Sequence, residues 1–141
     1  MRTLTLSIPE RQKTVRIFTG ADAAAFVRET LPGLFPGNKA LFVLDGALHA
    51  RYPALVPEFA GGKTVHTFSL PGGERFKTFA TAGRIVAECA RRRFERIDAI
   101  AAIGGGRTSD IAGFAASIYQ RGIPFFIIPT TLLSMVDACV G

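Results

Sequence analysis

Cysteine is scarce in this chain. There are two in 141 residues, Cys89 and Cys139, and both sit in apolar sequence. No CxxC pair occurs and no histidine lies near either one. The pattern argues against a metal site or a structural disulfide and for buried free thiols. Histidine is equally sparse: His49 and His66 have no acidic or cysteine partner at metal-ligand spacing, and no role is assigned to them. No apolar run approaches the roughly 18 residues that span a bilayer. The start of the chain lacks the basic flank and apolar stretch of a signal peptide. Neither membrane nor export is indicated, and a cytoplasmic location is expected. No Gly-Lys-Ser/Thr follows the glycine-rich segment, so a P-loop is excluded.

Acidic residues are outnumbered, 11 against 17 basic, for a net charge of +6. A basic balance raises nucleic acid as a partner. The basic residues are scattered, however, and no aromatic residues interleave with them as a stacking platform would need. The one cluster, Arg91-Arg92-Arg93, ends a predicted helix, where cations complement the helix dipole. Phosphorylated anionic ligands suit the charge better, and no nucleic-acid partner is expected.

What the chain has in quantity is apolar sequence, 48% against 20% charged residues, enough for one domain with a buried core. Residues 3–18 alternate, with Leu4, Leu6, Ile8, Val15 and Ile17 on one side, and read as a β-hairpin turning at 9–12. Asp22 is placed to cap a helix carrying Ala23, Phe26, Val27 and Leu31. Residues 40–44 form a continuous apolar run and residues 97–103 an apolar run interrupted only by Asp98, the pattern of parallel strands buried on both faces. Residues 64–68 alternate as a further strand, and 125–128 read as another buried one. Helices are expected near 47–51, from Thr78 with Phe79, Ala82, Ile85, Val86 and Cys89 on one face, from Ser109 to Tyr119, and after Thr130 and Thr131. The rhythm of strands and helices over 22–141 predicts an α/β fold, a Rossmann-like parallel sheet flanked by helices and preceded by the hairpin. No repeat divides it, so 1–141 is read as one domain. Its end, residues 132–141, is mostly apolar and reads as cut from a longer chain.

In such sheets ligands bind at the carboxyl ends of strands. The informative loops fall there: Asp45, residues 71–77, residues 104–110 and residues 129–131. Gly104-Gly105-Gly106 links a strand to a helix, which is the geometry of a phosphate cradle. Backbone without side chains approaches a pyrophosphate closely, and the helix's unpaired N–H groups point at the anion. The spacing ends at Ser109, one residue short of the dinucleotide fingerprint. The alternative is a tight turn that needs glycine for positive φ. Asp110 is either a first-turn cap or a ligand contact. Asp45 is either a cap or an acceptor for ribose hydroxyls. The Gly72-to-Lys77 stretch is by itself a charged loop.

Four ordered blocks carry a resemblance: Leu70-Pro71-Gly72-Gly73-Glu74-Arg75-Phe76-Lys77-Thr78, the segment from Gly104 through Ala116, Tyr119-Gln120-Arg121-Gly122-Ile123-Pro124-Phe125, and Pro129-Thr130-Thr131-Leu132-Leu133-Ser134-Met135-Val136-Asp137. Together they resemble the 3-dehydroquinate synthases, a family of sugar-phosphate cyclases. The resemblance implies NAD as a regenerated cofactor, a sugar-acid phosphate (DAHP) as substrate and loss of phosphate on ring closure, in the shikimate pathway. It implies that Asp45 binds the adenosine ribose, that Glu74 and Lys77 contact the nucleotide, and that Gly105, Gly106 and Asp110 hold the pyrophosphate region with Arg107 beside them. Thr130 and Thr131 would also touch NAD. Arg121 and Asp137 would face the substrate, the arginine serving a neighbouring subunit's site, in a homodimer. The family's zinc or cobalt would sit in a C-terminal helical domain carrying a glutamate and two histidines; that domain is expected only in a full-length enzyme, so no metal ligand is assigned here and this stretch alone is expected to be inactive. Arg107, Thr108 and Ser109 depart from the family's smaller residues. They leave room for a sibling cyclase of the valiolone or deoxy-inosose synthase type. Glycerol-1-phosphate and iron-alcohol dehydrogenases share the expected fold, and a non-catalytic nucleotide-binding fragment is the remaining alternative.

Overall fold

The computed structural model describes residues 2–8, 13–20, 23–58 and 62–139. The expected turn at 9–12 and the expected cap Asp22 lie outside the described residues, as do the side chains of Ala23 and Phe26. Strands β1 (Arg2–Ile8) and β2 (Lys13–Thr19) pair antiparallel as a separate two-stranded sheet. The main sheet holds β3 (Lys39–Asp45), β4 (Thr64–Leu70), β5 (Ala99–Gly104) and β6 (Phe125–Pro129), all parallel, in the order β4-β3-β5-β6. The helices are α1 (Ala23–Glu29), α2 (Gly46–Arg51), α3 (Leu55–Glu58), α4 (Phe79–Arg91), α5 (Gly106–Ile118) and α6 (Leu132–Val136).

The strand order explains the sequence patterns. β3 and β5 are central, and residues 41–44 and 99–104 are buried without a break. β4 is an edge strand whose residues are half-buried or exposed up to the fully buried Leu70. β6 is the other edge. It is half-buried along its length, not fully buried as its apolar run suggests. The chain leaves β3 for β4 on one side, then returns across the sheet to β5 on the other. Right-handed crossovers therefore place α4 and α5 on one face. There Leu41, Val43, Ile100 and Ala102 pack against Ala82, Ile85, Ile111 and Ala115. The alternate residues Ala40, Phe42, Leu44, Ala101 and Ile103 face the other way, against Val27, Leu31 and Val56.

Local details correct several boundaries. α5 begins at Gly106, three residues before the expected Ser109. Asp110 therefore lies in the second turn and is not a first-turn cap. Phe79 starts α4 but does not share its buried face. It is 81% exposed, with its ring edge-on to Phe114 at 5.2 Å between centroids. Arg91 and Arg92 close on Glu88, at 2.6 and 2.9 Å, at the end of α4. Cys89 is fully buried, and burial pushes its thiol up to about 12; Cys139 is half-buried. Buried Asp98 accepts the backbone N–H of Lys39 at 2.9 Å and of Glu95 at 2.7 Å, tying the start of β3 to the approach to β5.

Candidate functional site

The sheet's order reverses between β3 and β5, because successive connections leave in opposite directions from there. At such a point two crossovers diverge and leave a crevice beyond the strands' carboxyl ends. Asp45 ends β3 and Gly104 ends β5, so these two residues flank the crevice.

The glycine loop separates into two kinds of position. Gly104 is required by packing: a Cβ there would come within 2.8 Å of Thr108 Oγ1 and 2.9 Å of Thr108 Cβ, and Thr108 is buried. Gly105 and Gly106 are not. Neither has positive φ, and Gly105 sits at φ −85°, ψ −176°. Among the described residues, a Cβ on Gly105 would meet nothing closer than Thr131 at 3.5 Å, and on Gly106 nothing closer than Ala138 at 3.7 Å, both ordinary contacts. The turn therefore does not need glycine at these two places for its own conformation or packing. The positive-φ explanation fails for them. No side chain caps α5, and the amides of Gly106 and Arg107 find no acceptor among the described residues. The N-terminus of a 13-residue helix thus presents bare backbone donors to the crevice. This is a cradle that fits an anionic group such as a pyrophosphate.

The other expected cofactor residues surround that cradle. Thr130 donates its N–H to the Gly104 carbonyl at 2.9 Å. Thr131 lies against Gly105 and caps α6, its hydroxyl accepting from Ser134 N–H at 3.2 Å. Lys77, in the loop after β4, reaches Asp110 on α5 with 2.7 Å between Nζ and Oδ2. Glu74 lies 3.9 Å from the same ammonium. The hydrogen bond and the charge of Asp110 raise the Lys77 pKa above its usual value. The lysine is thereby held as a cation beside the helix start.

Asp45 does two things at once. Its Oδ1 accepts from Ala47 N–H at 3.0 Å and caps α2, as one of its two sequence readings has it. Its Oδ2 accepts from Arg107 Nη2 at 2.6 Å. Arg107 neither turns to solvent nor lies along the glycine loop. Its Nη1 donates to the carbonyls of Pro71 and of Gly73, the latter at 2.9 Å. Its side chain is 13% exposed. Sequence reasoning missed the part that Pro71 and Gly73 play here, since both contribute through backbone oxygen. The one signal is Gly73 itself, whose φ of 104° only glycine adopts readily.

The two substrate candidates are not together. Asp137, exposed just after α6, adjoins Ala138, the neighbour of Gly106. Arg121 follows α5, in a 3-10 turn where Gln120 and Arg121 both have positive φ, and leads to Pro124, whose carbonyl accepts from Ile100 N–H at the start of β5. It stands at the amino edge of the sheet, a helix length of about 20 Å from the glycine loop. Within one chain, Arg121 does not reach the crevice. Among the described residues, no group of three His, Cys, Asp or Glu could hold a metal ion. No helix among them is long and apolar enough to cross a membrane.

Solved structures with this arrangement include 2-deoxy-scyllo-inosose synthase complexed with carbaglucose-6-phosphate, NAD+ and Co2+, which superimposes with a TM-score of 0.79 at 26% identity over 97% of this chain and 38% of that one. Another is a 2-epi-5-epi-valiolone synthase from Streptomyces hygroscopicus with NAD+ and Zn2+ bound, with a TM-score of 0.73 at 25% identity, covering 98% of this chain and 37% of that one. An iron-containing alcohol dehydrogenase from Thermotoga maritima, at 19% identity and a TM-score of 0.52, shares the fold over 67% of this chain and 31% of that one. Among curated proteins, a 3-dehydroquinate synthase from Synechococcus is 41% identical over 96% of this chain, and one from Methylococcus capsulatus is 38% identical over all of it. The chain spans 38% of the length of either relative. The family model described as 3-dehydroquinate synthase N-terminal matches residues 67–141, which hold the glycine loop and everything around it except Asp45, and the chain therefore belongs to the 3-dehydroquinate synthase family.

Proposed function

We propose that this chain is the nucleotide-binding part of a 3-dehydroquinate synthase, binding NAD in the crevice between β3 and β5. The observation that carries the reading is the pair Gly105 and Gly106, glycines that the fold itself does not require. An outside occupant explains them. The amides of Gly106 and Arg107 would take the pyrophosphate. Asp45 would take ribose hydroxyls, Thr130 and Thr131 would line the floor, and Lys77, oriented by Asp110 and flanked by Glu74, would supply positive charge.

The proposed reaction is conversion of DAHP, a seven-carbon sugar-acid phosphate, to 3-dehydroquinate with loss of phosphate. NAD, when bound, supplies a hydride acceptor that returns the hydride later in the same turnover. The chain's own part is to bind and orient that cofactor at the sheet's carboxyl edge. The residues described here offer no metal cluster, and no step is assigned to a metal within them. The metal and most substrate groups would come from the portion of the relatives' length that this chain does not span. Asp137 would face substrate beside the loop. Arg121, at the far edge of the sheet, would serve the site of a second subunit in a homodimer. An arginine's planar fork suits a carboxylate or phosphate there. A cytoplasmic location accompanies this biosynthetic role.

The test is release of inorganic phosphate by the complete protein that carries these residues, supplied with NAD and a divalent cation. Turnover of DAHP is expected. Turnover of sedoheptulose 7-phosphate with none of DAHP would contradict the assignment. These 141 residues alone are expected to bind NAD without turning over.

A further inference from the structure

We propose that Asp45 and Arg107 form a charge-neutral ribose pocket that accepts a 2′-phosphate, so that this site takes NADP as well as NAD, with Arg107 setting the choice. The proposal rests on the reading above that a dinucleotide lies over the glycine loop with its adenosine ribose toward Asp45.

A lone acidic side chain at the end of this strand selects against NADP. It accepts hydrogen bonds from ribose hydroxyls and repels a phosphate at the same place. Asp45 is not alone. Arg107 Nη2 lies 2.6 Å from its Oδ2, with the two side chains 13% and 30% exposed. A partly buried pair so close presents little net charge to an incoming group. The repulsion that would exclude a 2′-phosphate is largely cancelled.

Arg107 also has donors to spare. A guanidinium carries five N–H groups. Nη1 serves the carbonyls of Pro71 and Gly73, and Nη2 serves Asp45 with one hydrogen. The second Nη2 hydrogen and the Nε hydrogen have no partner among the described residues. A guanidinium edge is the geometry that binds phosphate bidentately. The two carbonyls hold the group independently of Asp45, so it stays in place when the carboxylate turns toward a hydroxyl or away from a phosphate. Asp45 keeps its other oxygen on Ala47 N–H and remains available to the ribose of NAD.

A purely structural brace makes a different prediction. It would link β3, the loop after β4 and α5, and its loss would weaken both cofactors equally. The measurement is therefore a ratio. NAD and NADP are titrated separately into the purified protein by calorimetry, with the wild type, Arg107→Ala, Arg107→Lys and Asp45→Asn, each checked for folding by circular dichroism. We expect NADP to bind the wild type within about tenfold of NAD. Arg107→Ala should weaken NADP at least about tenfold more than NAD, with Arg107→Lys restoring part of the difference. Asp45→Asn should shift the ratio toward NADP. Binding of NADP more than about a hundredfold weaker than NAD would overturn the proposal while leaving the NAD site standing. An NAD-to-NADP ratio unchanged by Arg107→Ala and by Arg107→Lys would do the same. Binding of neither dinucleotide would overturn the underlying site and this proposal with it.

Discussion

Lys77 and Asp110 meet at 2.7 Å across the mouth of the crevice, joining the loop after β4 to the second turn of α5. Both side chains are 45% exposed, so the pair adds little to stability. Its consequence is placement: Asp110 fixes where the ammonium stands. Replacing Lys77 with Met, or Asp110 with Asn, is expected to weaken NAD binding while leaving the urea midpoint nearly unchanged. The lysine's pKa is raised, so its charge is present at and below its ordinary value of 10.5 and is lost only as pH rises through the higher folded value. Lysine deprotonation should therefore cause no fall in NAD affinity between about pH 6 and pH 9, and a fall that Lys77→Met abolishes within that range would contradict the placement.

Gly104 and Gly106 predict opposite outcomes for the same substitution. Gly104→Ala drives a Cβ to 2.8 Å from the buried Thr108 hydroxyl, and overpacking of this kind costs about 1–3 kcal/mol. Chemical denaturation should show the loss. If Gly104→Ala proves as stable as the wild type, the loop is not packed as described.

Glu88 gives a pH signature away from the site. Arg91 and Arg92, by hydrogen bonds and by charge, hold its carboxyl well below the ordinary 4.5, at about 2. A depressed carboxylate stabilises the fold above the unfolded pKa and loses that contribution as pH falls through the folded value. The window is thus from about pH 4.5 down to 2. Because Arg91 is largely solvated and Arg92 over a third exposed, the effect is about 1 kcal/mol or less. Glu88→Gln should be less stable than wild type at pH 7 and indistinguishable from it at the acid end. Equal stability at both ends would remove the pair from the account.

The parts of this fold that are plain in the sequence are those set by local periodicity. Residues 40–44 and 99–103 read as buried strands because β3 and β5 are covered on both faces, whereas Ile97, in the same apolar run, precedes β5 and is 47% exposed. The start of α5 is hidden because Gly106, Thr108 and Ser109 are poor helix formers. Phe79 is misleading for the opposite reason. It fits the apolar stripe by spacing, yet the first residue of a helix overhangs the core. The nine cofactor candidates gather at one edge because motif spacing records the loops that the sheet brings together. The bond from Arg107 to Asp45 spans 62 positions and leaves no local trace. Arg121 is readable as a motif residue, but its distance from the crevice follows only from the direction of α5.

On this reading Gly105 and Gly106 are glycine for a ligand's sake. The most direct test is a calorimetric titration of NAD into the wild type and into Gly106→Ala, alongside their thermal unfolding. A Cβ at Gly106 meets nothing among the described residues closer than 3.7 Å, so the variant should melt like the wild type. It should bind NAD at least about tenfold more weakly, because the methyl group stands where the pyrophosphate approaches the backbone. A variant that binds NAD as well as the wild type does, or a wild type that binds none, would contradict the account.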